Sequence, residues 1–320
     1  MCRFRIGRVT KEDIQKINSR FIMNDNVSLP KLTDIRCACY MNDERNAYIN
    51  VIFLQHLKAT HTSTNPPSHT CIIKADISCA NTQNQALGKS MYNRLIDECG
   101  DSDVTNGNRC FVDLALKFFF NIPLMMNSNE RIDEELANGT PCRGLYVQLK
   151  RDQSFTQERW EGYMVNTVLA SKVKYIVCMQ EGKYNKYFTV RPKSSQCKIR
   201  LRMFNNMVLD KVKITYLPIN SSISTTGHKL QGKTLQNLVV NSWAYGCTHW
   251  VYVVLLRVRE LKNLVLNQKL DIHREYKAKD ELVRWERKMK ETIEQQSFFC
   301  RGKNDLDKYI EEENKYQKEF

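Results

Sequence analysis

The amino-acid sequence predicts a mixed α/β chain in four stretches. These are a helix-rich start through residue 110, a block of short strands over 111–217, short apolar runs over 218–270 and a charged helical tail over 271–320. Three observations carry this. Apolar residues recur at helical spacing early in the chain, the period drops to two from residue 111, and helical spacing returns after 271 among dense charges of both signs.

The elements follow in order. Thr10 with Asp13 has the pattern of a capping box, and Ile14, Ile17 and Phe21 behind it predict a first helix. Leu29-Pro30 closes that region. Asp43 to Leu57 predicts a second helix with Ile49, Ile52, Phe53 and Leu57 on one side. A polar loop from Thr60 to Thr70 leads to a strand at Cys71-Ile72-Ile73, and residues 89–99 predict a third helix. Val112, Leu114, Leu116 and Phe118 then alternate with Asp113, Ala115 and Lys117. Further strands are expected around Leu145 to Leu149, at Tyr175 to Val177, from Tyr187 to Val190 after a Glu181-Gly182 turn, from Lys198 to Met203 and from Val212 to Tyr216. Many short strands with basic turns predict a small barrel or meander, which Pro218 ends. Residues 238–240 and 264–266 flank a longer apolar run, Trp250 to Val258. Leu282, Trp285, Met289 and Ile293 mark the amphipathic tail helix.

Composition narrows the function. A chain of 320 residues suits two domains, at roughly 100–200 residues each. With 42% of its residues apolar and 10% aromatic, it can build real cores. The formal net charge is +14, which points to polyanions as partners. Residues 271–320 hold 12 basic and 13 acidic side chains, so the body carries +15. Residues 160–217 alone contain eleven Lys or Arg against Glu161, Glu181 and Asp210, which reads either as a binding surface or as a merely soluble basic face. No stretch approaches the ~20 apolar residues of a membrane span, and no apolar core follows the basic start, so neither a membrane nor secretion is expected. Twelve cysteines are scattered with no C-x-x-C pair, which predicts buried reduced thiols and no metal site.

Gly227-His-Lys-Leu-Gln-Gly232-Lys233-Thr234 matches the phosphate-loop pattern G-x-x-x-x-G-K-T. That pattern works where a buried strand precedes it and a helix follows, so that loop and helix N–H groups cradle phosphate. Here the preceding Asn220 to Thr226 is polar and the following Leu235 to Val240 reads as a strand, so a small nucleotide hydrolase built on this loop is the weakest reading.

In a longer window, Leu217-Pro218 through Thr226-Gly227-His228-Lys229-Leu230-Gln231-Gly232-Lys233-Thr234 resembles motif V of superfamily 1 helicases, in the petite-integration-frequency and RecD branch. Tyr252 to Arg257 resembles that family's motif VI. Leu114 to Lys117 with Pro123 to Asn129 resembles its L-x-L-K…P-V-M-L stretch, and Asn138-Gly139-Thr140 with Arg143-Gly144 resembles its N-G-T-R-G turn. Tyr40 to Asn42 and Ile49-Asn50 sit in its motif IV region. The resemblance runs from about residue 3 to 268. Gly227 stands where the family usually has a β-branched residue, which predicts a looser loop. Leu256 replaces the small residue before the arginine.

The resemblance implies the second RecA-like motor lobe, of phosphate-loop hydrolase type. Its parts would be 1–110 and 218–270, with a Src-homology-3-like barrel inserted at 111–217 and the tail at 271–320. It implies single-stranded DNA as partner, with 5′-to-3′ translocation, and ATP with Mg2+ held between two lobes. Thr226, His228, Lys229, Asn138, Gly139 and Thr140 would contact DNA, Gln231 and Gly232 would face the γ-phosphate, and Arg257 would be the arginine finger. A guanidinium can brace charge on transferring phosphate from across a cleft, and a hydroxyl, imidazole and ammonium on one loop suit a phosphodiester track. Tyr184, Tyr187 and Phe188 are open to two readings, base-stacking or barrel core. A first-lobe polypeptide is an expected partner. Neither ATP nor Mg2+ is expected to be bound by this stretch alone, which is therefore expected not to hydrolyse ATP. The family's settings are DNA repair, recombination and telomere maintenance, in nucleus or mitochondrion of a eukaryote and otherwise in cytoplasm. A stand-alone module gripping single-stranded nucleic acid without turnover is the alternative.

Overall fold

The computed structural model describes residue 4, residues 8–60, 69–79, 113–129, 132–182, 186–201, 207–246 and 249–276, and residues 281–292 apart from 282 and 286. The expected helix at 89–99 and the end of the tail lie outside the described residues.

Helix α1 (Lys11–Asn18) begins with the predicted capping box: the Asp13 N–H donates to Thr10 Oγ1 at 3.2 Å and the Thr10 N–H to Asp13 Oδ2 at 3.0 Å. Ile14 and Ile17 face the core, but the helix ends before Phe21, which instead forms a parallel bridge with Leu266. Strand β1 (Cys37–Cys39) leads into helix α2 (Asn42–Thr60), whose inner side carries Ile49, Ile52, Phe53 and Leu57.

The strands that follow are β2 (Cys71–Lys74), β3 (Asp76–Cys79), β4 (Ala115–Phe118), β5 (Ile122–Met126), β6 (Pro141–Leu149), β7 (Thr156–Trp160), β8 (Tyr163–Leu169), β9 (Val173–Gln180), β10 (Tyr187–Val190), β11 (Lys193–Leu201), β12 (Met207–Tyr216) and β13 (Ile219–Ser221). They form three sheets, in the orders β10-β9-β6-β5-β13, β11-β12-β3 and β4-β2-β8-β7. Strands expected to lie in one barrel over 111–217 are thus spread over three sheets. Strands from 71–79 and 219–221, outside that range, pair into them: β2 joins β4 and β8, β3 joins β12, and β13 joins β5. Period-two alternation identifies strands from a single segment, whereas pairing partners come from anywhere in the chain.

The remaining elements are β14 (Ser224–Thr226), a four-residue helix α3 (Gly227–Leu230), β15 (Leu238–Val240), helix α4 (Trp250–Leu255) and β16 (Leu264–Leu266). With β1 they make a parallel sheet in the order β14-β1-β15-β16. Its alternate residues face two cores. Ala38, Leu238, Val240, Leu264 and Leu266 lie with α1 and α4, while Cys37, Cys39, Val239 and Val265 lie with α2 and the antiparallel strands. A parallel sheet buried on both faces reads as short continuous apolar runs, as β1, β15 and β16 do, whereas β14 is Ser-Thr-Thr and its Ser224 and Thr225 are buried although polar. Arg45 is buried on α2, bonded to Asp113 at 2.7 Å and to the Ser224 carbonyl at 3.2 Å. In the tail, residues 283–285 and 287–292 are helical, with Trp285 and Met289 exposed. No described helix is long and apolar enough to cross a membrane.

Candidate nucleic-acid interface

The carboxyl edge of the parallel sheet is where such sheets receive ligands. Thr226 ends β14 beside Cys39 on β1, and the chain turns at once into α3. Thr226 and Lys229 are half-buried, and the backbone of His228 lies in α3. Gln231 and Gly232 follow in an exposed turn, with Gly232 at φ 77°. The chain then runs through Leu235 into β15. Helix thus precedes Lys233-Thr234 and strand follows, so Gly227–Thr234 does not take the strand–loop–helix form of a phosphate loop.

Gly227 is not a loosening residue. A Cβ there would lie 2.8 Å from Trp250 Cε2 and closer still to Nε1, so glycine is needed for α3 to rest on the indole of α4. Trp250 is buried, edge-on to Trp243 and to Tyr40 at the end of β1.

Arg257 follows α4 and turns back onto the same loop. Its Nε donates to the Val253 carbonyl at 2.7 Å, and its Nη1 to the carbonyls of Leu230 at 3.2 Å and Lys233 at 3.0 Å. Its own carbonyl accepts from the Leu235 N–H at 2.6 Å. Nη2 has no acceptor among the described residues. Burial lowers the guanidinium pKa, with Tyr252 acting in the opposite direction.

The second predicted segment joins from elsewhere in the chain. Asn138 and Gly139 are the corner of a tight turn: the Thr140 N–H donates to the Ala137 carbonyl at 3.0 Å, and the Ala137 N–H to Thr140 Oγ1 at 3.0 Å. Gly139 has φ 92°, the conformation that favours glycine. Asn138 is exposed, its N–H donating to Asn129 Oδ1 at 2.8 Å. Lys233 links the two segments. Its ammonium donates to the Gly139 carbonyl at 3.2 Å and contacts Met125 Sδ at 3.0 Å.

Beneath lies a charge cluster that the sequence did not reveal. Arg36 and Arg143 share Glu181, the latter at 2.6 Å from Arg143 Nε, and Arg143 also reaches Asp34 at 3.5 Å. Burial lowers the pKa of Lys233, and Lys229 and Arg36 push it in the same direction while Glu181 opposes them. No local pattern announces such a cluster, because its members come from three separate segments. Of the aromatics, Phe188 is core and Tyr187 is exposed, while Tyr184 lies outside the described residues. Lys174, Arg191 and Lys213 are exposed on the basic strand block.

No protein-family model matches the chain, and no curated protein does. Among solved structures, it is similar to Pif1 helicase from Bacteroides in complex with ADP-AlF3 and ssDNA (TM-score 0.53, 14% identity, covering 91% of this chain and 52% of that one). It is similar also to Bacteroides Pif1 bound to ssDNA (TM-score 0.54, 14% identity, 91% and 53%). The third is Pif1 helicase from Candida albicans (TM-score 0.53, 14% identity, 90% and 56%). The chain spans about half the length of these structures. Across some nine-tenths of its length, its fold is similar to that of the Pif1 helicases.

Proposed function

We propose that the chain is the second motor lobe of a Pif1-like DNA helicase, moving 5′ to 3′, and that it grips single-stranded DNA through the loop after β14 and the 138–140 turn. The observation that carries this is convergence. The loop that carries Thr226 and Lys229, at the carboxyl edge of the parallel sheet, is joined to the 138–140 turn, from a distant part of the chain, by the bond from Lys233 to the Gly139 carbonyl. Two of the solved structures similar in fold, both of Bacteroides Pif1, are described with ssDNA. The exposed basic strand block suits a guide for the same strand.

In this reading Arg257 is the arginine finger and Gln231 with Gly232 the nucleotide-facing link. Both turn residues are exposed and Arg257 Nη2 has no protein acceptor among the described residues, so this edge suits a phosphate. Bound ATP would supply the transferring phosphoryl group, whose charge Arg257 would brace. In this reading Mg2+ belongs with the first-lobe partner, as the family resemblance implies.

The test is DNA-stimulated ATP hydrolysis and oligothymidylate binding by the purified chain. Expected is binding that weakens steeply with salt, without turnover, and turnover on addition of a first lobe that Arg257→Ala removes. Turnover by the chain alone that Lys233→Ala abolishes and Arg257→Ala spares would refute this reading in favour of a nucleotide hydrolase built on Gly227–Thr234.

A further inference from the structure

We propose that Lys233 is a positioning residue that ties the 138–140 turn to the loop after β14, so that the two act as one DNA-gripping surface. This rests on the DNA-binding reading above and adds a role for a residue that touches no DNA. The phosphate-loop pattern would have aimed this lysine at a nucleotide, but the geometry does not. The ammonium turns to the Gly139 carbonyl at 3.2 Å and to Met125 Sδ at 3.0 Å.

Both acceptors sit where a tie has leverage. Gly139, at φ 92°, presents its carbonyl from the corner of the turn, while its N–H donates to the Met126 carbonyl at 2.9 Å and the Met126 N–H donates to Thr140 O at 2.9 Å. The turn is therefore held to β5. That strand pairs with β13, Met125 standing opposite Asn220 a few residues before β14 begins. On the other side, the Lys233 N–H donates to Leu230 O at 3.0 Å and its carbonyl accepts from Arg257 at 3.0 Å. One residue thus connects the turn, the loop and the arginine after α4. Lys229 and Arg36 repel its charge while Glu181 attracts it. A half-buried ammonium spent on a carbonyl and a sulfur is held in place, not displayed to solvent.

The test separates holding from touching. Anisotropy titrations of labelled oligothymidylate against the full chain across a salt series would compare wild type with Lys233→Met, Met125→Leu and Lys229→Met. Each phosphate-contacting cation contributes about 0.7 to the slope of log K against log salt on a single strand. Lys233→Met is expected to weaken binding roughly three- to tenfold with the slope unchanged, the loss of one bonded tie. Lys229→Met is expected to lower the slope by about 0.7. Met125→Leu keeps the volume and removes the sulfur, so it should show a smaller loss of the same kind; it carries the test if Lys233→Met does not fold. A slope lowered by Lys233→Met as by Lys229→Met would make Lys233 a phosphate contact and overturn the proposal, as would unchanged affinity.

A DNA-free readout keeps the two readings apart. Amide exchange of residues 137–140 and 230–234 should rise together in the weakened variant. Coupled exchange with no DNA binding by wild type would sink the DNA reading alone; exchange unchanged in either segment would sink the tie.

Discussion

Gly227 and Trp250 carry one decisive packing contact. In sequence the glycine reads as freedom, because it departs from a β-branched residue in the pattern it resembles. In the fold it is space: the indole of Trp250 occupies the position a side chain would take. Gly227→Ala is therefore expected to cost about 1–3 kcal/mol, the usual penalty for overpacking, read from urea denaturation midpoints. Gly227→Ala with Trp250→Phe should recover part of the loss, since the smaller ring withdraws the clashing atoms. Additive losses in the double variant would show that the contact is not the cause. Gly139 reads the same way from both sources. Asn-Gly predicts a tight turn, and the turn is there with its positive φ on the glycine. A local conformational need is legible in a dipeptide, whereas a steric need created by a tryptophan 23 residues away is not.

At the scale of elements, the joint between α2, the start of β4 and β13–β14 is made by a buried ion pair. Arg45 and Asp113 side chains are 5% and 8% exposed, and Asp113 Oδ2 also accepts from the Ser221 N–H at 2.6 Å. Arg45 adds bonds to the carbonyls of Ser224 at 3.2 Å and Ser221 at 3.4 Å, holding the strand that delivers the candidate DNA loop. Arg45→Ala leaves a buried carboxylate without its guanidinium and should cost about 3–5 kcal/mol in urea unfolding. Burial alone would raise the Asp113 pKa, but the charge and hydrogen bond of Arg45, with the Ser221 N–H, outweigh it and hold the carboxyl below its ordinary value. A carboxyl lowered in the fold stabilises above the unfolded value, about 3.9, and loses that contribution as pH falls through the folded value. The stability gap between wild type and Asp113→Asn should therefore narrow from pH 7 to pH 3. An unchanged gap would mean the carboxylate charge is not what matters. The sequence carries a usable sign of this joint: Arg45 stands one helical turn before Ile49, a charge at the edge of an apolar stripe.

For the whole molecule, single-stranded DNA that binds only the folded chain must stabilise it. Oligothymidylate at 100 times Kd is expected to add about 2.7 kcal/mol, seen as a raised thermal midpoint that falls back as salt is increased. A midpoint indifferent to oligothymidylate would remove the DNA from the reading. What the sequence determined by itself is everything that local periodicity and short motifs encode. That includes the capping box of α1, the inner stripe of α2, the alternating strands and the apolar runs of β15 and β16. Each is set by residues a few positions apart, where backbone sterics and side-chain spacing act directly. Only the tertiary structure decided which strands pair, so that 71–79 and 219–221 join the antiparallel sheets across long separations. It alone brought Gly139 to Lys233, Arg36 to Glu181 and Arg143, and the Arg257 guanidinium onto the loop carbonyls. Hydrogen bonds and ion pairs form between groups that are close in space, and closeness between distant segments comes from burying two faces of one sheet at once.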